Sequence, residues 1–201
     1  MRARLALCVS KIAVTHREVD LKNRPEELYA ISPKGTVPVL DFGSTTPIEE
    51  SLEIMLWCLG TSDPADWLQP TDGSIEEVKD YIWRWDDEFK PQLDRYKYPN
   101  RFDDADPIVH RELASRYLIK LNQRLVSNPF LFGGKPGLAD MAILPFVRQF
   151  AFTDRAWFDA EPWPKLREWL DQFTASPLFA KIMIKRETWL PDAPPLFIDW
   201  V

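Results

Sequence analysis

The sequence predicts two domains of different class: an α/β domain over residues 1–60 and an all-α helical C-terminal domain over residues 74–201, joined by a linker at 61–73. Three observations predict this. Up to about residue 60, short helical and strand-like pieces alternate, which calls for a mixed sheet covered by helices. Beyond residue 74 the apolar residues recur only at helical spacing. Between the two, "TSDPADWLQPTDGS" is rich in Pro, Asp, Ser and Thr, the composition of a connecting segment.

The chain opens inside a helix. In "MRARLALCVSK", Leu5, Ala6, Val9 and Ile12 share one face, and Arg2, Arg4 and Lys11 lie on the other. No Ser, Thr, Asp or Asn precedes the pattern to accept from the first N–H groups. "THREVDL" follows, in which Val14, Val19 and Leu21 suit a strand. "RPEELYAIS" reads as a short helix with Pro25 in its first turn. "GTVPVLDF" and "TTPIE" read as two strands, and "ESLEIMLWCLG" as a helix closed by Gly60.

This α-β-α-β-β-α order lacks its leading strand. Parallel strands are linked through a helix by right-handed crossovers, so a starting helix followed by a strand is the second half of a βαβ unit. Loss of about four buried apolar side chains, at about 1.5–3 kcal/mol each, rivals the roughly 5–15 kcal/mol total stability of a domain. Three explanations stay open: a misplaced start, residues upstream of this sequence, or a partner strand in the slot. The sequence favours a misplaced or truncated start.

In the second half, Ile75, Val78, Ile82, Trp85 and Phe89 line one face of a helix, with Glu76, Glu77, Lys79, Asp80, Asp86 and Asp87 between them. A long helix covers about 107–127, with Pro107 at a favoured first position and Leu113, Tyr117, Leu121 and Leu125 facing inward. Two more cover 137–152 and 163–175, the last carrying Leu166, Trp169, Leu170 and Phe173. The tail "TWLPDAPPLFIDWV" holds too many prolines for regular structure and is expected to wrap the surface.

Composition excludes several classes of function. A hydrophobic share of 45% with nine tryptophans supplies a core, and a net charge of −6 argues against general electrostatic binding of nucleic acid or anionic lipid. No apolar run approaches the roughly 20 residues of a membrane span, and the first residues are too charged for a secretory signal. Cys8 and Cys58 make no disulfide framework, and two histidines, His16 and His110, make no zinc site. The expectation is a soluble cytoplasmic protein without a metal, a nucleic-acid partner or a membrane.

At "GTVPVL", "IEESLEI" and "GGKPGLADMAILPFVRQFA" the chain resembles a glutathione transferase of the omega-like and two-domain glutaredoxin-like branch. The resemblance covers essentially the whole chain, and it implies a thioredoxin-like N-terminal domain and glutathione as co-substrate. It implies that the Val37–Pro38 peptide is cis and that Val37 offers its backbone to the cysteinyl part of glutathione. It implies that Glu50 and Ser51 hold the γ-glutamyl group. That role is chemically apt, because a helix N-terminus favours the ligand's α-carboxylate and Glu50 can accept from its ammonium. The plain alternative is that Ser51 caps its helix. A one-residue slip to Glu49 also stays open. Arg24, in "KNRPEEL", matches a basic residue that omega-like members direct at the glycyl carboxylate, with Lys34 as its rival. Gly137 and Asp140 match a helix-starting box that serves folding, with the side chain at the cap position lost. Tyr81, Trp83, Trp85 and Tyr117 are candidates for lining a pocket for the small second substrate, against the alternative of simple packing.

The resemblance also places a nucleophilic Cys just before the first helix, about four residues upstream of Met1, so no catalytic residue is assigned within the chain. Cys8, among Leu5, Val9 and Ile12, reads as an inert buried thiol, and Cys58 as structural. The implied activity is a glutathione-dependent transferase or thiol–disulfide reductase acting on small electrophiles or disulfides. The alternative is a non-catalytic binding or scaffolding module of the same fold. A homodimer is compatible with either.

Overall fold

The computed structural model describes residues 1–200. The chain forms two compact units, one of Met1–Ala65 together with the residues from Pro177 onward, the other of Asp66–Ser176. The division falls within the segment read as a linker. The tail does not continue the helical unit but returns to the first one.

In the first unit, α1 (Arg2–Val9) begins at Met1 without a side-chain cap, as its sequence suggests. It is buried on more faces than its amphipathic reading implied. Arg2, Ala3, Leu5, Ala6, Leu7 and Cys8 are all buried, while Val9 and Ile12 are only half-buried. The cause is that α1 packs against both α3 (Ser51–Thr61) and α10 (Pro177–Ile182).

Strand β1 is shorter than "THREVDL" suggested and covers Val14–His16. It pairs antiparallel with β2 (Leu196–Ile198), Val14 opposite Ile198 and His16 opposite Leu196. The proline-rich tail therefore holds a strand after all. Its prolines confine pairing to the three residues between Pro195 and Asp199, and period-2 burial sinks Ile198 and Trp200 while leaving Phe197 exposed. Lower down, Trp189 N donates to Glu18 O at 2.8 Å, and the Arg17 guanidinium stacks 4.7 Å over the Trp189 ring. The "GTVPVLDF" and "TTPIE" strands shrink to one reciprocal pair of bonds between Leu40 and Ile48, at 2.8 and 2.9 Å.

A polar cluster ties these pieces together. Arg4 donates to the Glu18 carboxylate and, at 3.3 Å, to Ile182 O, and His16 Nε2 lies 3.0 Å from Glu18 Oε2. Burial pushes the Glu18 carboxyl up, but the hydrogen bond to His16 and the charge of Arg4 outweigh it and hold the group below the usual carboxylate range. From the tail, Lys181 donates to Trp200 O.

The second unit is helical. The single helix expected over 75–89 continues through Lys97, with α4 (Ile75–Arg84), a π turn (Trp85–Phe89) and α5 (Lys90–Lys97). Pro91 explains the π turn. It has no N–H to offer the Asp87 carbonyl and its ring crowds that carbonyl, so the ladder widens and Lys90 N–H bonds to Trp85 O. Helices α6 (Pro107–Ser127), α7 (Leu138–Ala151) and α9 (Pro164–Thr174) follow the sequence reading within a residue or so, and α8 (Arg155–Ala160) joins them. Phe89, Phe150, Phe158 and Trp163 fill the centre, all fully buried.

Asp140 organises this unit. Its carboxylate accepts from Gly137 N at 3.0 Å, Leu131 N at 3.1 Å and Trp169 Nε1 at 2.9 Å, joining α7, the loop before it and α9. Only the Asp140 half of the capping box exists, because Gly137 has no side chain. Burial pushes the Asp140 carboxyl up from 3.8 to about 6, against the pull of the Gly137, Leu131 and Trp169 donors. Among the described residues, no helix is long and apolar enough to cross a membrane, and no His, Cys, Asp or Glu cluster could hold a metal.

Two measurements check these assignments. Ile198→Ala removes a side chain that is 7% exposed and is expected to cost about 2–4 kcal/mol. Phe197→Ala, at a position 75% exposed, is expected to stay within about 0.5 kcal/mol. Amide hydrogen exchange of α1 and β1 reads both. For Asp140, a folded-state value above the unfolded one means that the neutral carboxyl suits the fold better. The second unit should therefore gain stability from this group as pH falls from about 6 to about 4, and Asp140→Asn should abolish that slope in pH-dependent unfolding.

Candidate functional site

The site the sequence nominates lies in the first unit, around the start of α3. Glu50 is the N-cap of this helix, in extended conformation and without a side-chain capping bond. Ser51 is therefore the first helical residue and not the cap. Ile54 N returns to Glu50 O at 3.0 Å, and among the described residues the N–H groups of Ser51, Leu52 and Glu53 before it have no side-chain acceptor. An eleven-residue helix adds its dipole to this opening, so a carboxylate fits there.

The two glutamates before Ser51 do different work. Glu49 turns inward and accepts from the hydroxyl of Ser32, a fully buried residue at the end of α2 (Glu26–Ile31). That bond ties the end of α2 to the start of α3. Glu50 points out, with its side chain 65% exposed, and its Oε1 lies 3.3 Å from Lys34 Nζ. Lys34 also reaches Glu49 Oε2 at 3.7 Å. The hydrogen bond to Glu50, with the charge of both carboxylates, raises the Lys34 pKa.

A tight turn delivers Lys34 to this place. Gly35 N donates to Ser32 O at 2.8 Å, and Gly35 adopts φ +61. A Cβ there would sit 2.3 Å from Cε1 of the Tyr29 ring, so only glycine fits without displacing the ring. Two residues on, the Val37–Pro38 peptide is cis. Val37 is 42% exposed, and its N–H and C=O make no hydrogen bond among the described residues. A free donor and acceptor on one exposed residue suit the backbone of an extended peptide.

Arg24 stands apart from this arrangement. It is exposed in the loop before α2 and makes no ion pair or hydrogen bond among the described residues. The cation in contact with Glu50 is Lys34. Ser32, which sorts the two glutamates, is the residue that sequence reasoning missed. Nothing local marks it, because its partner lies seventeen positions away.

Both cysteines are free and buried. Burial pushes the Cys58 thiol up to about 11, and it raises Cys8 as well, with only a partial offset from the charge of Lys181. In the second unit, Trp85 belongs to the core and Trp83 is exposed. Tyr117 donates to Glu88 Oε2 at 2.9 Å, and burial raises both its pKa and that of Tyr81.

Comparison with known proteins decides the family. Residues 1–59 match the family model described as glutathione S-transferase, N-terminal domain, and residues 90–172 match that of the C-terminal domain. The chain belongs to the glutathione transferase superfamily. Its two units are accordingly a thioredoxin-like domain and an all-helical domain of that superfamily. Solved structures share the fold. A glutathione S-transferase III in its apo form is 22% identical with a TM-score of 0.70, over 97% of this chain and 93% of that one. Poplar glutathione transferase F1 is 20% identical with a TM-score of 0.74, over 90% of each chain. A glutathione transferase family member from Pseudomonas fluorescens, solved with two glutathione molecules bound, is 18% identical with a TM-score of 0.75, over 90% of this chain and 86% of that one. No curated protein matches the chain.

Proposed function

We propose that the first unit binds glutathione at the start of α3. The protein then uses it as co-substrate in transfer to a small electrophile or in thiol–disulfide exchange. The observation that carries this reading is the outward pair of Glu50 and Ser51 at an uncapped helix N-terminus, with Lys34 held against Glu50. The Ser51 N–H and hydroxyl receive the α-carboxylate of the γ-glutamyl group, and the Glu50 carboxylate receives its ammonium. Val37 exchanges backbone hydrogen bonds with the cysteinyl residue beside Pro38.

The ligand's ammonium and Lys34 compete for the same carboxylate. Binding therefore displaces Lys34, whose freed ammonium is then available to the glycyl carboxylate, as is Arg24. Solvent screens an exposed ion pair of this kind, so the displacement is cheap. Within this chain neither Cys8 nor Cys58 is placed to react, both being buried, so this reading takes glutathione's own sulfur as the reacting atom. In transfer, the glutathione thiol loses its proton to solvent, and the resulting thiolate forms a bond to carbon as the leaving group departs with the electron pair of its own bond. In exchange, it attacks a disulfide sulfur and releases the other as thiolate. The reading assigns the protein to a reducing cytoplasm, with a small molecule as second substrate and a homodimer compatible with the family.

Calorimetric titration of glutathione tests this. Wild type is expected to bind saturably, and Glu50→Ala to bind at least about tenfold more weakly, equivalent to about 1.4 kcal/mol. No saturable heat from the folded wild type, or equal affinity in the variant, overturns the assignment. Binding without turnover of any electrophile or disulfide instead supports a non-catalytic glutathione-binding module.

A further inference from the structure

The helical unit holds a cleft of about 300 Å³ that the glutathione reading does not use. Its walls are residues 125–129, where α6 ends, and Lys165, Glu168, Trp169 and Gln172 of α9. The volume lies at the lower edge of what a small organic molecule needs.

The walls are held in place. Trp169 is fixed by its indole bond to Asp140 at 2.9 Å, and the same carboxylate holds Leu131 N at 3.1 Å. Arg124 donates to Leu131 O, which closes the loop back onto α6. On the other side, Asn122 Oδ1 accepts from Lys165 N at 3.0 Å and Leu166 N at 3.1 Å, so α6 caps the start of α9. Both helices are thus tied at each end of the cleft.

Its polarity has a sign. Helix α6 is 21 residues long and ends at Asn128, which is extended at φ −140 and ψ 146. The residues that follow do not return to its last turn. Pro129 has no N–H, Phe130 N donates to Gly133 O, and Leu131 N donates to Asp140. Among the described residues, the segment after α6 therefore offers its last carbonyls no backbone donor, and the negative end of the helix dipole lies where residues 125–128 line the cleft. Glu168 adds a carboxylate, and Asn128 and Gln172 add amide oxygens. Lys165 Nζ already lies 2.8 Å from Glu168 Oε2, which shows that the spot accepts an ammonium. That pair is largely exposed and costs little to share. Leu125, Val126, Pro129 and the Trp169 ring supply apolar surface beside these acceptors.

We propose that this cleft is a binding site for a small organic cation, a primary ammonium carried on an aromatic or branched aliphatic body. The ammonium sits at the carbonyls of α6 and at Glu168, and the body lies along Val126 and Pro129. The inference stands on the helical unit alone and is independent of glutathione.

Phenethylamine is the probe, followed by amide NMR on the full chain. Saturable shifts are expected at Val126, Ser127, Asn128, Glu168 and Gln172 and at the Trp169 indole. The uncharged isostere 2-phenylethanol should bind about tenfold more weakly, and Glu168→Gln should weaken phenethylamine about threefold, more at low salt than at high. Val126→Trp, which fills the cleft from an exposed position, should abolish the shifts while the remaining spectrum stays folded. Equal binding of amine and alcohol would overturn the cationic assignment. Shifts centred elsewhere, or none up to the solubility of the amine, would overturn the site.

Discussion

The pairing of β1 with β2 ties the tail of the chain into the first unit. Strand β1 has no other ladder partner among the described residues, and the partner comes from the far end of the chain. A two-stranded ribbon is marginal in water by itself. Here it is supported by burial of Ile198 and Trp200 and by the Arg4 bonds that reach β1 through Glu18 and α10 through Ile182 O. Helix α1 is then enclosed, with α10 on one side and α3 on another. Helix α3, which carries Ser51, packs on α1 within the same unit as the tail. The site and the tail strand are about 150 residues apart in sequence yet belong to one unit.

The two units spend their buried polar groups differently. In the helical unit, the carboxylate of Asp140 is consumed entirely by structure, with three donors and no exposure to a ligand. In the first unit, the half-buried Glu49 accepts from Ser32 and still reaches Lys34 at 3.7 Å, while its neighbour Glu50 points outward. Adjacent glutamates thus divide into a positioning residue and, on the glutathione proposal, a binding residue. The division follows from burial: an inward carboxylate must be satisfied within the fold, whereas an exposed one can trade one cation for another at little cost.

Much of this was legible in the sequence. Helices α3, α6, α7 and α9 announce themselves by apolar spacing and by Pro or Gly at their ends, and the glutathione transferase fold follows from motifs local to a few residues. The Glu50–Ser51 step was nominated by the resemblance, and the Ser51 cap that local signals suggest gives way to Glu50 at the cap position. Other features have none. The β2 strand is three residues among prolines, so neither period nor propensity marks it. The π turn at Trp85–Phe89 arises from the effect of Pro91 on a carbonyl four residues earlier, inside a pattern that otherwise continues. The Lys34–Glu50 contact depends on the Ser32–Gly35 turn, and the sorting of Glu49 from Glu50 depends on the Ser32 hydroxyl. Contacts between exposed charges far apart in sequence leave no periodic trace.

The most direct test of the account is a map of where glutathione touches the protein, by amide NMR titration of the full chain. The account predicts that the largest shifts fall on Val37, Ser51 and Leu52 N–H and on residues 34–36, with the tail strand 196–198 protected throughout. Saturable binding with its shifts confined to the helical unit, or a folded chain that shows none, would contradict it.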